Sequence, residues 1–269
     1  MTKVAIVGAA GRMGQALVRC STRMPAIQIT AAVEHAACTL IGKDAGLLAG
    51  IGDIGLVITS DLTAAVKAAD ILIDFSFHEN VPNTVKLAVE HKKAVVIGTT
   101  GLTPEERAAV DQAATIIPIV WAPNMSLGVN LLFALVEQAA KALGVDYDVE
   151  ITEAHHRYKK DAPSGTALRL GEMVAHGRKQ NFRDVAIYGR EGLGGERPKG
   201  QIGIHALRAA DIIGDHTVLF ATDGERVEIS HRASSRDAFA NGALHAGVWL
   251  ATGKKPGLYD MQDVLGFRG

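Results

Sequence analysis

A chain of 269 residues that is 48% hydrophobic can bury a sizeable core in one large or two medium domains, which excludes disorder as the default state. With 28 basic and 29 acidic residues the formal charge is −1, so no global field recruits nucleic acid or an anionic membrane, and an anionic partner must be held by a local cluster. The two cysteines, Cys20 and Cys38, lack C-x-x-C spacing and are expected to be reduced thiols, with no metal site.

The opening "MTKVAIVG" runs straight into β-branched apolar residues without a signal-peptide pattern, and no later stretch approaches ~18 uninterrupted apolar residues; this predicts a cytoplasmic protein. Through about Asn124, short apolar runs ("KVAIVG", "IQITAAVE", "AADILIDFS", "AVVIGTTG", "IIPIVWAPN") alternate with amphipathic segments such as "RMGQALVRCSTRM" and "NVPNTVKLAVEH". That alternation predicts βαβ units and a doubly wound parallel sheet.

Within the first unit, Gly8, Gly11 and Gly14 follow a strand and open a helix in the order G-x-x-G-x-x-G. Glycines let the backbone approach a pyrophosphate, and a helix N-terminus offers unpaired N–H groups to it. The second strand ends at Glu34, twenty residues after Gly14, where a carboxylate can accept from the adenosine ribose hydroxyls. This predicts a dinucleotide site. Gly98, Thr99 and Thr100 follow one strand, and Ala122, Pro123, Asn124 and Met125 another, so both stretches are expected near the nicotinamide half. Glu34 would repel a 2′-phosphate, whereas Arg12 and a protonated His35 could attract one; NADH is expected to serve at least as well as NADPH.

Next, "SLGVNLLFALVEQAAKAL" reads as a helix bridging two domains, with Ser126 available as N-cap and Leu131, Leu132, Leu135, Val136 and Ala139 at helical spacing. Beyond it the runs become strand-rich, with one convincing helix from about Ser164 to Ala175, which fits a smaller α+β domain with a mixed, mostly open sheet. The glycine-rich stretch 190–203 reads as a mobile surface loop, residues 237–252 as a helix and "GLYDMQDVLG" as a short closing element.

The stretch "EAHHRYKKDAPSGTA" carries the chemistry. His155, His156 and Lys159 follow a strand, and Ser164, Gly165 and Thr166 open a helix whose N–H groups can cradle a carboxylate. Cations beside such a cradle predict an anionic, dicarboxylate substrate, although a solvated basic loop is the commonest fate of such a run. Zinc is disfavoured, because adjacent histidines in an extended chain point to opposite sides and no further ligand follows at suitable spacing.

The motifs "GAAGRMG", "IDFS", "VIGTTG", "APNMSLGVN", "EAHHRYKKDAPSGTA", "RAADIIGDHTVLFA" and "HRASSRDAFANGA" resemble, nearly end to end, the 4-hydroxy-tetrahydrodipicolinate reductase (dihydrodipicolinate reductase) family of the diaminopimelate route to lysine. The resemblance implies NAD(P)H-dependent reduction of that cyclic dicarboxylate, with no nucleic-acid or membrane partner. By the same token, Gly8, Ala9, Ala10, Gly11, Arg12, Met13, Glu34, His35, residues 98–100 and residues 122–125 hold the cofactor. His155 and Lys159 serve proton transfer, and His156, Gly165 and Thr166 bind substrate. It further implies a discontinuous dinucleotide domain (1–126 and 236–269), a substrate and oligomerisation domain (127–235), and a homotetramer. His35 stands where some members have arginine. Ala210 stands where the family has glycine, which matters little unless that backbone needs a positive φ. Two alternatives are another two-domain dehydrogenase of an amino or hydroxy acid and a non-catalytic dinucleotide sensor; retention of His155 and Lys159 argues against the sensor.

Overall fold

Alternation inside the first strand, β1 (Thr2–Val7), sets the architecture of the N-terminal part. Val4 and Ile6 enter the core on one side of a sheet while Ala5 and Val7 enter the core on the other. The computed structural model describes residues 1–268. After β1 come α1 (Arg12–Ser21), β2 (Ile27–Val33), α2 (Ala45–Ala49), β3 (Ile58–Thr59), α3 (Leu62–Ala68), β4 (Ile71–Asp74), α4 (Val81–Glu90), β5 (Ala94–Ile97), α5 (Pro104–Ala114) and β6 (Pro118–Trp121). Local chemistry starts the helices: Asp44 caps α2, Asp61 caps α3, and Thr103 with Glu106 forms a capping box ahead of Pro104 on α5.

The chain then runs through α6 (Leu127–Leu143), β7 (Asp148–His155), α7 (Gly165–Gly177), α8 (Phe182–Val185), β8 (Ala186–Tyr188), β9 (Ile202–Arg208), β10 (Gly214–Thr222) and β11 (Glu225–Ala233), and closes with α9 (Asp237–Leu250), β12 (Gly257–Tyr259) and α10 (Met261–Val264). Two units result: Met1–Leu127 with Arg236 onward, and Gly128–Ser235. In the first, seven parallel strands lie in the order β12-β6-β5-β4-β1-β2-β3, a doubly wound arrangement with helices on both faces. Leu17 of α1 and Leu244 of α9 pack on one face, Val66, Val85 and Val110 on the other. The closing element supplies the edge strand β12, paired to β6 through Leu258 and Ile119.

In the second unit the mixed sheet runs β11-β10-β7-β9-β8, with β10 antiparallel to β7 and β11, and β9 parallel to β7 and β8. Val149, Ile151, Val218 and Phe220 face a core completed by α6 and α7. The face that α6 buries differs from the expected one: Val129, Leu132, Phe133, Val136 and Ala140 are buried, whereas Leu131 and Leu135 are 43% and 44% exposed. The helix is apolar nearly all round, so spacing alone leaves two stripes to choose between, and packing on the sheet selects one. Residues Leu127–Asp146 are long and apolar enough to cross a membrane by length and composition, the same test that a core helix passes.

Two details of this unit carry predictions. Arg190 and Arg197 fasten the glycine-rich loop to strand β7: Arg190 makes a bidentate pair with Glu150, and Arg197 bonds both Glu150 and Asp148. Burial alone would raise the Glu150 carboxyl, but Arg190, His205 and Arg197 outweigh it and hold the group down from 4.5 to about 2. A depressed carboxyl contributes stability that is present above its unfolded pKa and is lost as pH falls through the folded one. Wild type should therefore lose roughly 1–3 kcal/mol between about pH 4.5 and 2 that Glu150→Gln does not lose, as read from urea melts across that window. Equal losses in the two proteins would refute the assignment.

The second detail is Ala210, which adopts φ +44° while its carbonyl accepts the Arg157 N–H at 3.2 Å. The backbone here does take the left-handed conformation, so replacing glycine carries a strain. Ala210→Gly should stabilise the protein by roughly 0.5–1 kcal/mol, after the extra unfolded-state entropy of glycine is set against the relieved strain. A melting temperature raised by about 1–4 °C is expected, and a drop would contradict it.

Candidate active site

In the first unit a pocket opens at the C-terminal ends of the parallel strands, lined by Gly8, Glu34, His35, Ser60, Ser76 and Asn80 among others. Open α/β sheets hold ligands at that end. Gly8 has φ +82°, and a Cβ there would lie 2.7 Å from the Phe75 carbonyl oxygen; one on Gly14 would lie 2.3 Å from the Gly8 carbonyl oxygen. Both glycines are required by the loop's own geometry. Gly11 caps α1 with no side-chain hydrogen bond, leaving the helix N-terminus open to an anion.

Around that loop, Ala9 is buried, Ala10 donates its N–H to Glu34 Oε2 at 3.0 Å, Arg12 is exposed, and Met13 is half-buried against the core. Glu34 thus sits against the turn that would carry a pyrophosphate, its other oxygen accepting the His35 N–H at 3.0 Å. The exposed His35 accepts the Ala37 N–H on Nδ1 at 3.2 Å, which places the ring hydrogen on Nε2 in the neutral form. These residues fit a dinucleotide: required glycines, an uncapped helix start and a carboxylate at the end of β2.

The strand-end residues divide by exposure. A Cβ on Gly98 would fall 2.2 Å from the Phe75 ring, so glycine is needed there for packing. The Thr99 hydroxyl lies inside the protein, 3.2 Å from Asp74 Oδ1 and 3.1 Å from the Ser76 carbonyl oxygen, leaving Thr100 as the exposed member of the pair. Ala122 and Met125 are buried, Pro123 is exposed, and Asn124 accepts the Ser126 N–H at 3.0 Å. Asp74 is fully buried; burial raises its carboxyl, against hydrogen bonds from Thr84, Ser76 and Thr99.

In the second unit, β7 ends at His155, whose Nδ1 lies 2.5 Å from Glu153 Oε2. Burial lowers the His155 imidazole, Glu153 opposes this, and the charges of Lys159 and Arg208 add to the lowering. Lys159 Nζ is 2.9 Å from Asp161 Oδ2, and its hydrogen bond holds the Asp161 carboxyl below the usual range against burial, which raises it. His156 has a buried Nδ1 with no hydrogen-bond partner among the described residues.

Helix α7 begins as the turn chemistry predicts. Ser164 is the N-cap and its hydroxyl accepts the Ala167 N–H at 3.2 Å, while Gly165 is exposed and Thr166 half-exposed in the first turn. A Cβ on Gly165 would meet nothing within 4 Å and its φ is not positive, so neither packing nor backbone conformation explains the glycine.

Three residues not singled out in the sequence join these arrangements. Glu153 and His216 meet His155 in the second unit. In the first unit Arg236, at the start of α9, is lowered by burial and then by the charge of Arg12. The charges of Arg12 and Arg236 are thus near enough to act on each other.

Family models described as dihydrodipicolinate reductase, N-terminus and C-terminus, match residues 2–125 and 128–265. The chain belongs to the dihydrodipicolinate reductase family. It is an NAD(P)H-dependent oxidoreductase, and the boundary between the matched halves falls where the two units meet in sequence. A 4-hydroxy-tetrahydrodipicolinate reductase of Syntrophotalea carbinolica is 52% identical over 268 residues, covering all of both chains, and one of Geobacter sulfurreducens is 50% identical over the same span. A dipicolinate-bound dihydrodipicolinate reductase from Paenisporosarcina sp. TG-14 shares the fold at a TM-score of 0.77 and 23% identity, covering 98% of each chain. An amine dehydrogenase from Mycobacterium smegmatis also shares it, at 0.56 and 12% identity, covering 96% of this chain and 94% of that one. The architecture alone therefore does not select the substrate.

Proposed function

We propose that this protein reduces 4-hydroxy-tetrahydrodipicolinate, by way of the dehydrated conjugated ring, to tetrahydrodipicolinate in lysine and diaminopimelate biosynthesis. The observation that carries the reading is the gathering, in one unit, of His155, Lys159 and the exposed first turn of α7. Gly8–Met13, Glu34, His35, residues 98–100 and residues 122–125 would hold the reduced dinucleotide, which when bound would supply the hydride. Arg12 and Arg236 add countercharge for its pyrophosphate. His156, Gly165 and Thr166 hold the ring carboxylates and fix orientation, a contribution of proximity. Lys159, paired through Nζ with Asp161, gives a proton to the enamine system, with His155 sharing or relaying it. Residues 1–126 and 236–269 take the nucleotide role, and 127–235 the substrate role.

The test is turnover: the absorbance of NADH or NADPH should fall when freshly generated 4-hydroxy-tetrahydrodipicolinate is added. Turnover of an amino or hydroxy acid instead would favour the broader dehydrogenase reading, and binding without any turnover would favour a sensor. The Glu34 carboxylate, which would repel a 2′-phosphate, and a histidine rather than an arginine at position 35 support NADH serving at least as well as NADPH. The KM for NADH should be no higher than that for NADPH, and a strong NADPH bias would contradict this.

We further propose a homotetramer built on the sheet face of the second unit opposite α6 and α7, where Leu207 is 49% exposed. A cytoplasmic location is in keeping with two unpaired cysteines.

A further inference from the structure

Glu153 has no exposed surface, yet its two oxygens accept four hydrogen bonds. His155 Nδ1 and Arg208 Nη1 reach Oε2 at 2.5 and 2.9 Å; Arg208 Nη2 and the Ser164 N–H reach Oε1 at 2.9 and 3.0 Å. The donors come from the end of β7, the end of β9 and the cap of α7. An ionised carboxylate accepts only, so His155 must carry its hydrogen on Nδ1, which leaves Nε2 for proton exchange. Gly214 packs beside that atom, where a Cβ would sit only 3.1 Å from it.

A second histidine completes the arrangement. His216 meets the His155 ring edge-on at 5.2 Å between centroids, and its Nε2 lies 3.2 Å from Ser164 Oγ. That hydroxyl accepts the Ala167 N–H and has both a hydrogen and a second lone pair left, so it can donate to or accept from His216 Nε2 according to the tautomer. Burial first, then the charge of His155, pushes His216 to about 3, so it does not compete for the proton.

We propose that Glu153 is a positioning residue for the reduction: one buried carboxylate holds His155 in the Nδ1–H tautomer and, through the Ser164 N–H, fixes the start of the helix that presents Gly165 and Thr166. Proton relay and carboxylate cradle are thereby tied to a single point. The inference rests on the proposed roles of His155, Gly165 and Thr166. The charged and titratable groups around His155 are Glu153 on its own strand, Lys159 on the following loop, Arg208 on β9 and His216 on β10, with His231 of β11 acting on His216.

The experiment is a cycle of Glu153→Gln, His155→Asn and the double variant, assayed in the full chain over about pH 5 to 9. A glutamine amide can donate to Nδ1 and so favours the other tautomer. Glu153→Gln should lower kcat roughly 10²-fold or more while dinucleotide affinity stays unchanged. The limb set by His155 should move to lower pH, because the group that favours the imidazolium is gone. In the His155→Asn background the kcat cost of the same change should fall below about 3-fold, since the relay is already absent, while a rise in KM through the Ser164 arm persists. Wild-type kcat and pH profile for Glu153→Gln, or an equal kcat loss in both backgrounds, overturns the proposal. Near wild-type kcat for His155→Asn alone is a different result, and removes the catalytic reading of His155 instead. Should Glu153→Gln fail to fold, nitrogen NMR of 15N-histidine-labelled wild type decides, with the His155 signals identified by their loss in His155→Asn. An Nδ1–H tautomer supports the proposal, and an Nε2–H tautomer overturns it.

Discussion

Replacing Lys159 by alanine should lower kcat by roughly 10²- to 10⁴-fold, about 3–5 kcal/mol of transition-state stabilisation, with the dinucleotide dissociation constant nearly unchanged. The ammonium contacts Asp161, a side chain that is 62% exposed, and such a pair contributes only about 0–1 kcal/mol to folding. The variant should therefore melt close to wild type, which separates a chemical defect from a folding one. Steady-state kinetics and a thermal melt on the same preparation give both readouts. A kcat near wild type would remove Lys159 from proton transfer, and a large fall in melting temperature would recast it as structural.

Gly14→Ala is expected to act on the other substrate. Its new methyl would lie 2.3 Å from the Gly8 carbonyl oxygen and 2.5 Å from Ala9 Cα, both backbone atoms that no rotamer change can move aside. Helix α1 and the glycine loop must then separate, at roughly 1–3 kcal/mol, and the separation moves the N–H groups that face the pyrophosphate. Dinucleotide affinity should fall at least ~10-fold with a lower melting temperature, measured by quenching of protein fluorescence and by a thermal melt. At Gly11 a Cβ would sit 3.3 Å from the same oxygen at an exposed position, so Gly11→Ala should cost less stability. Unchanged affinity in Gly14→Ala would refute the pyrophosphate assignment for this turn.

The nucleotide half was legible because its signals are local. Strand alternation, the glycine turn and Glu34 at the end of β2 all fall within about 35 residues of chain, and each needs only its neighbours to be read. The long α6 was read as a helix but on the wrong stripe at Leu131 and Leu135, since an all-apolar helix does not show which side meets a sheet.

The anchor of the second unit was harder to see. Glu153 is 55 residues from Arg208 and 11 from Ser164, and Ser164 is 52 from His216; only the pairing of β7 with β9 and β10 brings them together. One signal was present: with Val149 and Ile151 inward, period-two alternation puts Glu153 inward as well, and a buried acid two residues before a histidine asks for an explanation. Ala210 shows the opposite limit, because its strain is a property of φ, and the residue type alone does not reveal the conformation imposed on it.

The most direct measurement follows the isotope. With NADH carrying deuterium at the transferred C4 position and the cyclic substrate in ordinary water, one deuterium should appear on the ring carbon that ends the conjugated system. With unlabelled NADH in heavy water, the solvent label should appear on the adjacent carbon. Deuterium lost to solvent, or oxidation of the cofactor without any label in the ring, would contradict hydride transfer followed by protonation.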